Sequence, residues 1–182
     1  MKPNEITIFT DGSSKGNPGP GGWGAIIKTD GKVRELGGRE EHTTNNRMEM
    51  MAVIKALEFV WEGRLGLPEV LRSVSLRSIR ATPPSGFTEQ TSDLLNITIF
   101  TDSSYVAKGA SEWLAGWQKK GWKNSQKQAV LNRDLWEKIA ELKEKFAITW
   151  KIIPGHAGIP ENERCDVIAT SFADNSPVNL AS

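Results

Sequence analysis

The sequence predicts an α/β protein in which a mixed β-sheet packs against helices. One observation is a repeated hexamer: ITIFTD occurs at residues 6–11 and again at 97–102, each time as a β-branched and aromatic run that ends in a turn signal. The other is the segment between the copies, which is far too long for a tight hairpin and contains a strong helical pattern. The two strands are therefore predicted to lie parallel to each other.

The repeat also places two aspartates at equivalent strand ends. Neighbouring strands lie about 4.8 Å apart, so adjacent parallel strands would hold Asp11 and Asp102 side by side. Two carboxylates at that distance repel each other unless one is protonated or a cation lies between them. The repeat alone leaves two interpretations open, a paired acidic site or two aspartates that each cap the following turn.

The first half of the chain adds a meander and a helix. Asp30 and Gly31 stand between two strand-like runs, which predicts a hairpin and hence an antiparallel meander of strands 1, 2 and 3. The stretch HTTNNRMEMMAVIKALEFVW begins with Thr and Asn cap candidates and has apolar residues at helical spacing. Glu49 is expected in the first turn of this helix, on the side that packs on the sheet. It either stabilises the helix N-terminus or adds a third acid at the same end of the sheet.

The second half alternates helices with one more strand. SSYVAKGASEWLAGW predicts one or two short helices, KQAVLNRDLWEKIAELKEKF a further helix, and AITWKII a strand. A Gly/Pro loop that contains His156 then leads to a last helix, whose apolar stripe begins at Cys165 and Ile168. Taken alone, a loop histidine is usually a solvated residue, and Asp166 would be an ordinary acid in the first turn of the helix.

Composition narrows the class of protein. At 182 residues with 38% hydrophobic content, the chain is expected to form a single domain. The net charge of +1 attracts no polyanion as a whole, so any nucleic-acid surface must come from local clustering. A single cysteine excludes an intramolecular disulfide, and with only two histidines it argues against structural zinc. No signal core is present and no apolar run approaches the roughly 20 residues of a membrane span, so we expect a cytoplasmic protein without membrane contact.

Five motifs then point to a family. TDGSSKGNPGPGGWGAI, TTNNRMEMMAVIKALE, TDSSYV, WQKKGWK and PGHAGIPENERCDVIA occur in this order, and together they closely resemble the ribonuclease H type 1 family in its bacterial form. The resemblance covers nearly the whole chain outside residues 62–95. It implies a ribonuclease H-like fold, a five-stranded mixed sheet with the meander 1-2-3, parallel strands 4 and 5, and helices on both faces. It also implies endonucleolytic hydrolysis of the RNA strand of RNA·DNA hybrids, giving 5′-phosphate and 3′-hydroxyl ends.

The resemblance implies a catalytic metal site as well. Its ligands would be Asp11, Glu49, Asp102 and Asp166, which would hold two Mg²⁺ ions, with Mn²⁺ as a substitute, because all-oxygen sites favour these ions over zinc. Asp11 would bridge the ions, Asp166 would help hold the ion that carries the attacking water, and Glu49 and Asp102 the ion at the leaving group. His156 resembles the family residue that assists proton transfer or product release.

Substrate recognition is predicted around the first helix and the first turn. Distinguishing RNA from DNA requires contact with 2′-hydroxyls, which the wide minor groove exposes. Asn17, Asn45 and Asn46 offer donors and acceptors, and the resemblance implies that they contact the hybrid; helix capping is the alternative for Asn45 and Asn46. Thr44 resembles part of a pocket for a DNA phosphate. The glycine-rich turn GNPGPGG is expected to bring bare backbone close to the substrate, whereas Ser104 stands where many relatives have Gln, which weakens any base contact there.

A local basic segment lies between residues 108 and 133. It holds six lysines and arginines against a single acid, Glu112. It resembles the basic handle that grips the DNA strand through its phosphates in bacterial members, although a charge run is more often only a solvated face. The substrate-binding residues predicted in it are Lys119, Lys120, Trp122 and Lys123. The tryptophans of this region are expected mainly in the core.

The remaining predictions concern organisation and alternatives. The single domain spans 1–182, with an insertion at about 62–95 and a short tail at about 174–182. The insertion is interpreted as a surface segment, or else as an accessory contact with nucleic acid or a partner through the acid-free stretch 72–80. We expect a monomer with no obligatory protein partner.

The alternative function is a catalytically silent hybrid-binding module, which would have no need for all four acids. Another nuclease or strand-transfer enzyme on the same fold would lack TTNNRME and the handle, and a small-molecule phosphatase would have no use for the handle.

Overall fold

The computed structural model describes residues 5–29, 31–63 and 94–181. The first part of the chain forms β1 Glu5–Ser14, β2 Gly19–Thr29, β3 Lys32–Thr43 and helix α1 Asn45–Trp61. The second part forms β4 Leu95–Thr101, α2 Ser104–Lys108, a π-helical segment Gly109–Trp113, α3 Leu114–Lys119, α4 Arg133–Lys143, β5 Phe146–Ile152 and α5 Pro160–Ala173. Most of the predicted insertion at 62–95 lies outside the described residues.

The strands form one five-stranded sheet in the order β3-β2-β1-β4-β5. β1, β2 and β3 pair antiparallel, whereas β1 with β4 and β4 with β5 pair parallel. This arrangement confirms the predicted meander and the predicted mixed sheet. In the turn that joins β2 to β3, Gly31 has a φ of +77°, a conformation that glycine adopts without strain.

The repeated hexamer explains how β1 and β4 meet. Its two copies pair residue for residue, from Ile6 with Ile97 through to Thr10 with Thr101. The repeated isoleucines are buried in the larger core, while Phe9 and Phe100 stack with ring centroids 4.8 Å apart. Since Asp11 and Asp102 directly follow the last pair, the predicted juxtaposition of the two strand ends is confirmed.

Helices cover both faces of the sheet, as predicted. One face packs against α1 and α4 in the larger core, at whose centre the Trp136 side chain is fully buried. The indole N–H of Trp136 donates to the Tyr105 hydroxyl at 3.1 Å, which satisfies its polar atom. The other face packs against α5 through a smaller cluster of Phe9, Ile26 and Cys165.

The π-helical segment links α2 to α3 and is supported by α4. A Cβ atom on Gly109 would lie 2.1 Å from the Trp136 ring, so any side chain at this position would collide with that ring. The Lys143 ammonium donates to the Ala110 carbonyl, and the Ser111 hydroxyl donates to the Ala107 carbonyl at 2.7 Å. These side chains satisfy carbonyls along the π-helical turn, and the predicted short helices form one continuous helical unit from Ser104 to Lys119.

The start of α4 differs from the sequence prediction, and the chain continues in an ordered path after α5. α4 begins only at Arg133, because residues 120–132 form an irregular loop with positive φ at Trp122, Lys127 and Asn132. After α5, the chain runs back along β3, where the Ala181 N–H donates to the Glu35 carboxylate at 2.9 Å. Among the described helices, none combines the length and the hydropathy that crossing a membrane requires.

Candidate active site

Three carboxylates converge where β1 and β4 end. Asp11 lies on β1, Asp102 directly follows β4, and Glu49 lies on α1. One oxygen from each lies within 4.8 Å of the others, and we call these three residues the acidic cluster. Asp11 and Glu49 are only 8% and 6% exposed, so the cluster is largely removed from solvent.

Gly12 allows α1 to approach β1 closely enough to complete this cluster. A Cβ atom at Gly12 would lie 2.2 Å from the backbone nitrogen of Glu49, a distance that no other residue tolerates. The Gly12 N–H also donates to Asp11 Oδ1 at 2.7 Å. The sequence prediction did not include Gly12, although the adjacent letters TDG carried a signal for it.

Glu49 lies one turn deeper in α1 than predicted. Thr44 is the N-cap and the helix begins at Asn45, so Glu49 belongs to the second turn and the first-turn expectation was wrong. Stabilisation of the helix N-terminus therefore gives no reason for its position, because that effect is confined to the first turn. Its Oε1 accepts from the Asn45 amide at 3.5 Å, and its buried Oε2 has no hydrogen-bond partner. A buried carboxylate oxygen without a donor fits a cation ligand.

The surroundings of Asp11 and Glu49 favour their protonated forms when no cation is bound. Burial raises the pKa of Asp11 to about 7, and the neighbouring charges of Asp102, Asp166 and Glu163 add to the effect. Burial also raises the pKa of Glu49 well above its ordinary value, with further contributions from Asp11 and Asp102. A divalent cation would reverse this balance by favouring the ionised carboxylates.

Asp166 approaches the cluster from α5 on the opposite face of the sheet. It lies in the second turn of that helix, so the expectation of a first-turn acid was wrong; the first-turn acids are Glu161 and Glu163. Asp166 does not join the group within 4.8 Å, yet its charge contributes to the raised pKa of Asp11.

Glycines of β2 bring α5 into backbone contact with the sheet. A Cβ atom on Gly22 would lie 2.2 Å from the carbonyl oxygen of Ala169, and one on Gly24 would lie 2.5 Å from that of Cys165. No side chain can therefore separate the helix from β2 at these positions. This contact places α5, which carries Asp166, directly against the sheet.

His156 lies on the exposed loop 153–159 between β5 and α5. The loop passes close to Asp102, since a Cβ atom on Gly155 would lie 2.8 Å from Asp102 Oδ2. The Ile153 N–H donates to the Thr101 carbonyl at 3.0 Å and anchors the start of the loop. His156 itself has a φ of +51°, in the left-handed region.

The predicted substrate residues of α1 are at the surface beside the cluster. Asn45 and Asn46 are exposed, and because Thr44 is the N-cap, the alternative that they merely cap the helix is wrong. The Thr44 hydroxyl accepts from the Arg47 N–H at 3.4 Å. Asn17 is exposed in the turn between β1 and β2.

The glycines of GNPGPGG have a role within the protein itself. A Cβ atom on Gly21 would lie 2.5 Å from the Thr43 methyl group, and one on Gly19 would collide with the Lys15 carbonyl oxygen. These glycines therefore let β2 pack against its own neighbours, which is a reason for glycine that needs no bound substrate.

The basic handle, residues 108–133, runs from the last residue of α2 through the π-helical segment, α3 and the loop that follows to the first residue of α4. Lys119, Lys120 and Lys123 are exposed, whereas Trp122 is half-buried with the Arg133 guanidinium 5.4 Å from its ring centroid. A cleft of about 440 Å³ opens beside the handle, lined by Glu112, Trp113, Gly116, Trp117, Lys120, Lys123, Asn124 and Ser125. The predicted core role therefore holds fully for Trp136, while Trp113 is 37% exposed and forms part of a surface.

Fold and site together define an α/β protein built around a buried carboxylate cluster suited to divalent cations. Comparisons with known proteins agree with this description and identify the family. Residues 3–67 and 87–174 match the RNase H family; the internal gap between the two matched ranges, residues 68–86, falls within the predicted insertion.

Individual relatives cover most of the chain. The Ribonuclease H of Pelobacter propionicus is 43% identical over 164 residues, which are 90% of this chain and 82% of that protein. The Ribonuclease H of Nitratidesulfovibrio vulgaris is 43% identical over 174 residues, 95% of this chain and 92% of that protein. The crystal structure of LC9-RNase H1, described as a type 1 RNase H with the type 2 active-site motif, superposes with a TM-score of 0.70 at 25% identity and covers 100% of this chain and 79% of its own. This chain belongs to the ribonuclease H type 1 family.

Proposed function

We propose that this protein is an endonuclease that hydrolyses the RNA strand of RNA·DNA hybrids with divalent metal ions, giving 5′-phosphate and 3′-hydroxyl ends. The observation that carries the proposal is the acidic cluster, three carboxylates within 4.8 Å of one another in a chain of the ribonuclease H family. Relatives named Ribonuclease H at 43% identity support the same activity. We further infer that the protein acts as a cytoplasmic monomer.

The residues of the cluster fit Mg²⁺, with Mn²⁺ as a substitute. The donor set consists of carboxylate oxygens, which hard divalent cations prefer, and Glu49 Oε2 has no other partner. Asp11, Glu49 and Asp102 would hold one ion, and Asp11 with Asp166 a second. When bound, the two ions would supply an activated water and neutralise charge at the leaving oxygen.

The remaining residues of the site orient and protect these ligands. The Gly12 N–H fixes one oxygen of Asp11, and the Asn45 amide lies within reach of Glu49 Oε1. Burial limits the access of bulk water to Asp11 and Glu49, which strengthens their interaction with a bound cation. His156, on the loop beside Asp102, would assist proton transfer to the leaving group or release of the product.

We assign substrate binding to two surfaces that flank the cluster. The N-terminal end of α1 and the first turn would contact 2′-hydroxyls of the RNA and a DNA phosphate. The basic handle would contact phosphates of the DNA strand. The residues proposed for these contacts are Asn17, Thr44, Asn45, Asn46, Lys119, Lys120, Trp122 and Lys123.

The test is cleavage of an end-labelled RNA strand in an RNA·DNA hybrid with Mg²⁺, beside matched RNA·RNA and DNA·DNA duplexes and a chelator control. We expect cleavage of the hybrid alone, its loss with chelator, and its loss in Asp11→Asn. Binding of the hybrid without cleavage would instead identify a catalytically silent hybrid-binding module. Cleavage of the DNA duplex would mean that the substrate is wrong although the fold is right.

A further inference from the structure

We propose that Glu163 is a positioning residue that holds the His156 loop, residues 153–159, against the acidic cluster. This inference rests on the proposed function, because the role of His156 in the reaction belongs to that proposal. Glu163 is not one of the ligands proposed above, and the sequence pattern assigned it no role. Its assignment comes from the contacts of the loop.

The loop is held at both of its ends. At its start, the Ile153 N–H donates to the Thr101 carbonyl at 3.0 Å, and the backbone at Gly155 then passes beside the Asp102 carboxylate. At its end, the Gly158 N–H donates to Glu163 Oε1 at 3.2 Å. Among the described residues, no other hydrogen bond joins residues 154–158 to a side chain outside the loop.

The conformation between these two anchors needs support. His156 has a φ of +51° and Gly158 a φ of +74°. A left-handed conformation is unfavourable for a residue with a Cβ atom, and it persists only where the surrounding structure imposes it. Residues 154–158 are exposed, so packing contributes little to holding His156 in place.

Glu163 is placed to connect the loop with the cluster. It lies on α5, three residues before Asp166, and its negative charge is close enough to contribute to the raised pKa of Asp11. The same helix therefore carries a proposed metal ligand and the anchor of the loop that bears the proposed proton-transfer residue. Because α5 holds the loop, the distance between His156 and Asp166 is kept constant.

Removal of this anchor should affect turnover and not substrate binding. In Glu163→Ala the loop loses its acceptor, and we expect kcat to fall about 2- to 10-fold, the range that one hydrogen bond represents, with the KM for the hybrid unchanged. Glu163→Gln keeps a carbonyl oxygen that can accept from Gly158 and should retain most of the activity. Glu161→Ala is the matched control, since Glu161 is also in the first turn of α5 but pairs with Lys28 and not with the loop.

The decisive experiment is a double-mutant cycle with His156→Ala, measured as kcat and KM on the RNA·DNA hybrid. If Glu163 acts through His156, Glu163→Ala lowers kcat in the wild-type background and has no further effect in His156→Ala. Equal losses in both backgrounds, a neutral Glu163→Ala, or a Gln variant as impaired as Ala would each overturn the inference. If His156→Ala alone leaves kcat unchanged, the proposed role of His156 fails, and the positioning role fails with it.

A second measurement needs neither metal nor substrate. Amide hydrogen exchange at Gly158 should become faster in Glu163→Ala than in wild type or Glu161→Ala, because the Gly158 N–H loses its acceptor. Unchanged exchange would refute the anchoring contact even if the protein proves to be an active ribonuclease. An inactive wild-type protein with accelerated exchange in Glu163→Ala would instead refute the proposed function and leave the anchor in place.

Discussion

Replacement of Asp11 by Asn should make the metal-free protein more stable while abolishing its activity. In the folded protein the pKa of Asp11 rises from 3.8 to about 7, chiefly because the carboxyl is buried. The folded state therefore binds this proton more tightly than the unfolded state, and stability falls as the pH rises from about 4 to about 7. Each pKa unit corresponds to about 1.4 kcal/mol, so the full penalty approaches about 4 kcal/mol above pH 7.

Urea unfolding with a chelator, followed by tryptophan fluorescence between about pH 4 and pH 8, tests this value. Asp11→Asn should exceed wild type by up to about 4 kcal/mol at the alkaline end, and the difference should shrink toward about pH 4, where Asp11 is protonated in the folded protein. Mg²⁺ should narrow the gap, because the cation stabilises the folded wild type.

A control with the opposite sign is available in the same chain. Arg47 lowers the pKa of Asp134 through a hydrogen-bonded ion pair, so Asp134→Asn should lose stability above the ordinary pKa of aspartate and gain none. A difference between Asp11→Asn and wild type that does not change with pH would refute the reasoning, as would a variant less stable than wild type at about pH 8.

Two further predictions concern the handle. Gly109→Ala should lower the free energy of unfolding by about 1–3 kcal/mol, because its Cβ atom would lie 2.1 Å from the Trp136 ring. Gly116→Ala is the control: its Cβ atom would have nothing within 4 Å, so this variant should be as stable as wild type or more stable. Chemical denaturation of both variants measures the difference, and equal effects would contradict the prediction. Replacement of Lys120 or Lys123 by Gln should weaken binding of the hybrid. It should also reduce the slope of log K against log salt concentration by up to about 0.9 for each phosphate that the variant no longer neutralises. Binding titrations at several salt concentrations measure this slope, and an unchanged slope would exclude these lysines as phosphate ligands.

The repeat made the centre of this fold predictable from the sequence. Two identical hexamers on neighbouring parallel strands pair residue for residue, so the sequence alone predicted that Asp11 and Asp102 lie side by side. The position of Glu49 in its helix could not be fixed in the same way. Thr43, Thr44 and the asparagines that follow are all cap candidates in the sequence, and only the backbone geometry selects Thr44.

Long-range contacts account for most of what the sequence analysis missed. Gly12 is required by a helix that begins more than thirty residues later, and no local pattern reports that approach. The π-helical segment has the same helical periodicity as its neighbours, and the Lys143 ammonium that supports it comes from another helix. Glu163 likewise acquires its contact from a loop geometry that includes a left-handed histidine.

Gly22 and Gly24 link the distance between α5 and the sheet to the geometry of the site. Asp166 on α5 and Asp11 on the sheet could share a cation only if the helix lies close to the sheet, and Gly22 and Gly24 permit that close contact because they have no side chains. A methyl group added at either position would force α5, and Asp166 with it, away from the sheet. The distance between the helix and the sheet, as well as the identity of the acidic residues, therefore sets where the Asp166 carboxylate lies relative to Asp11.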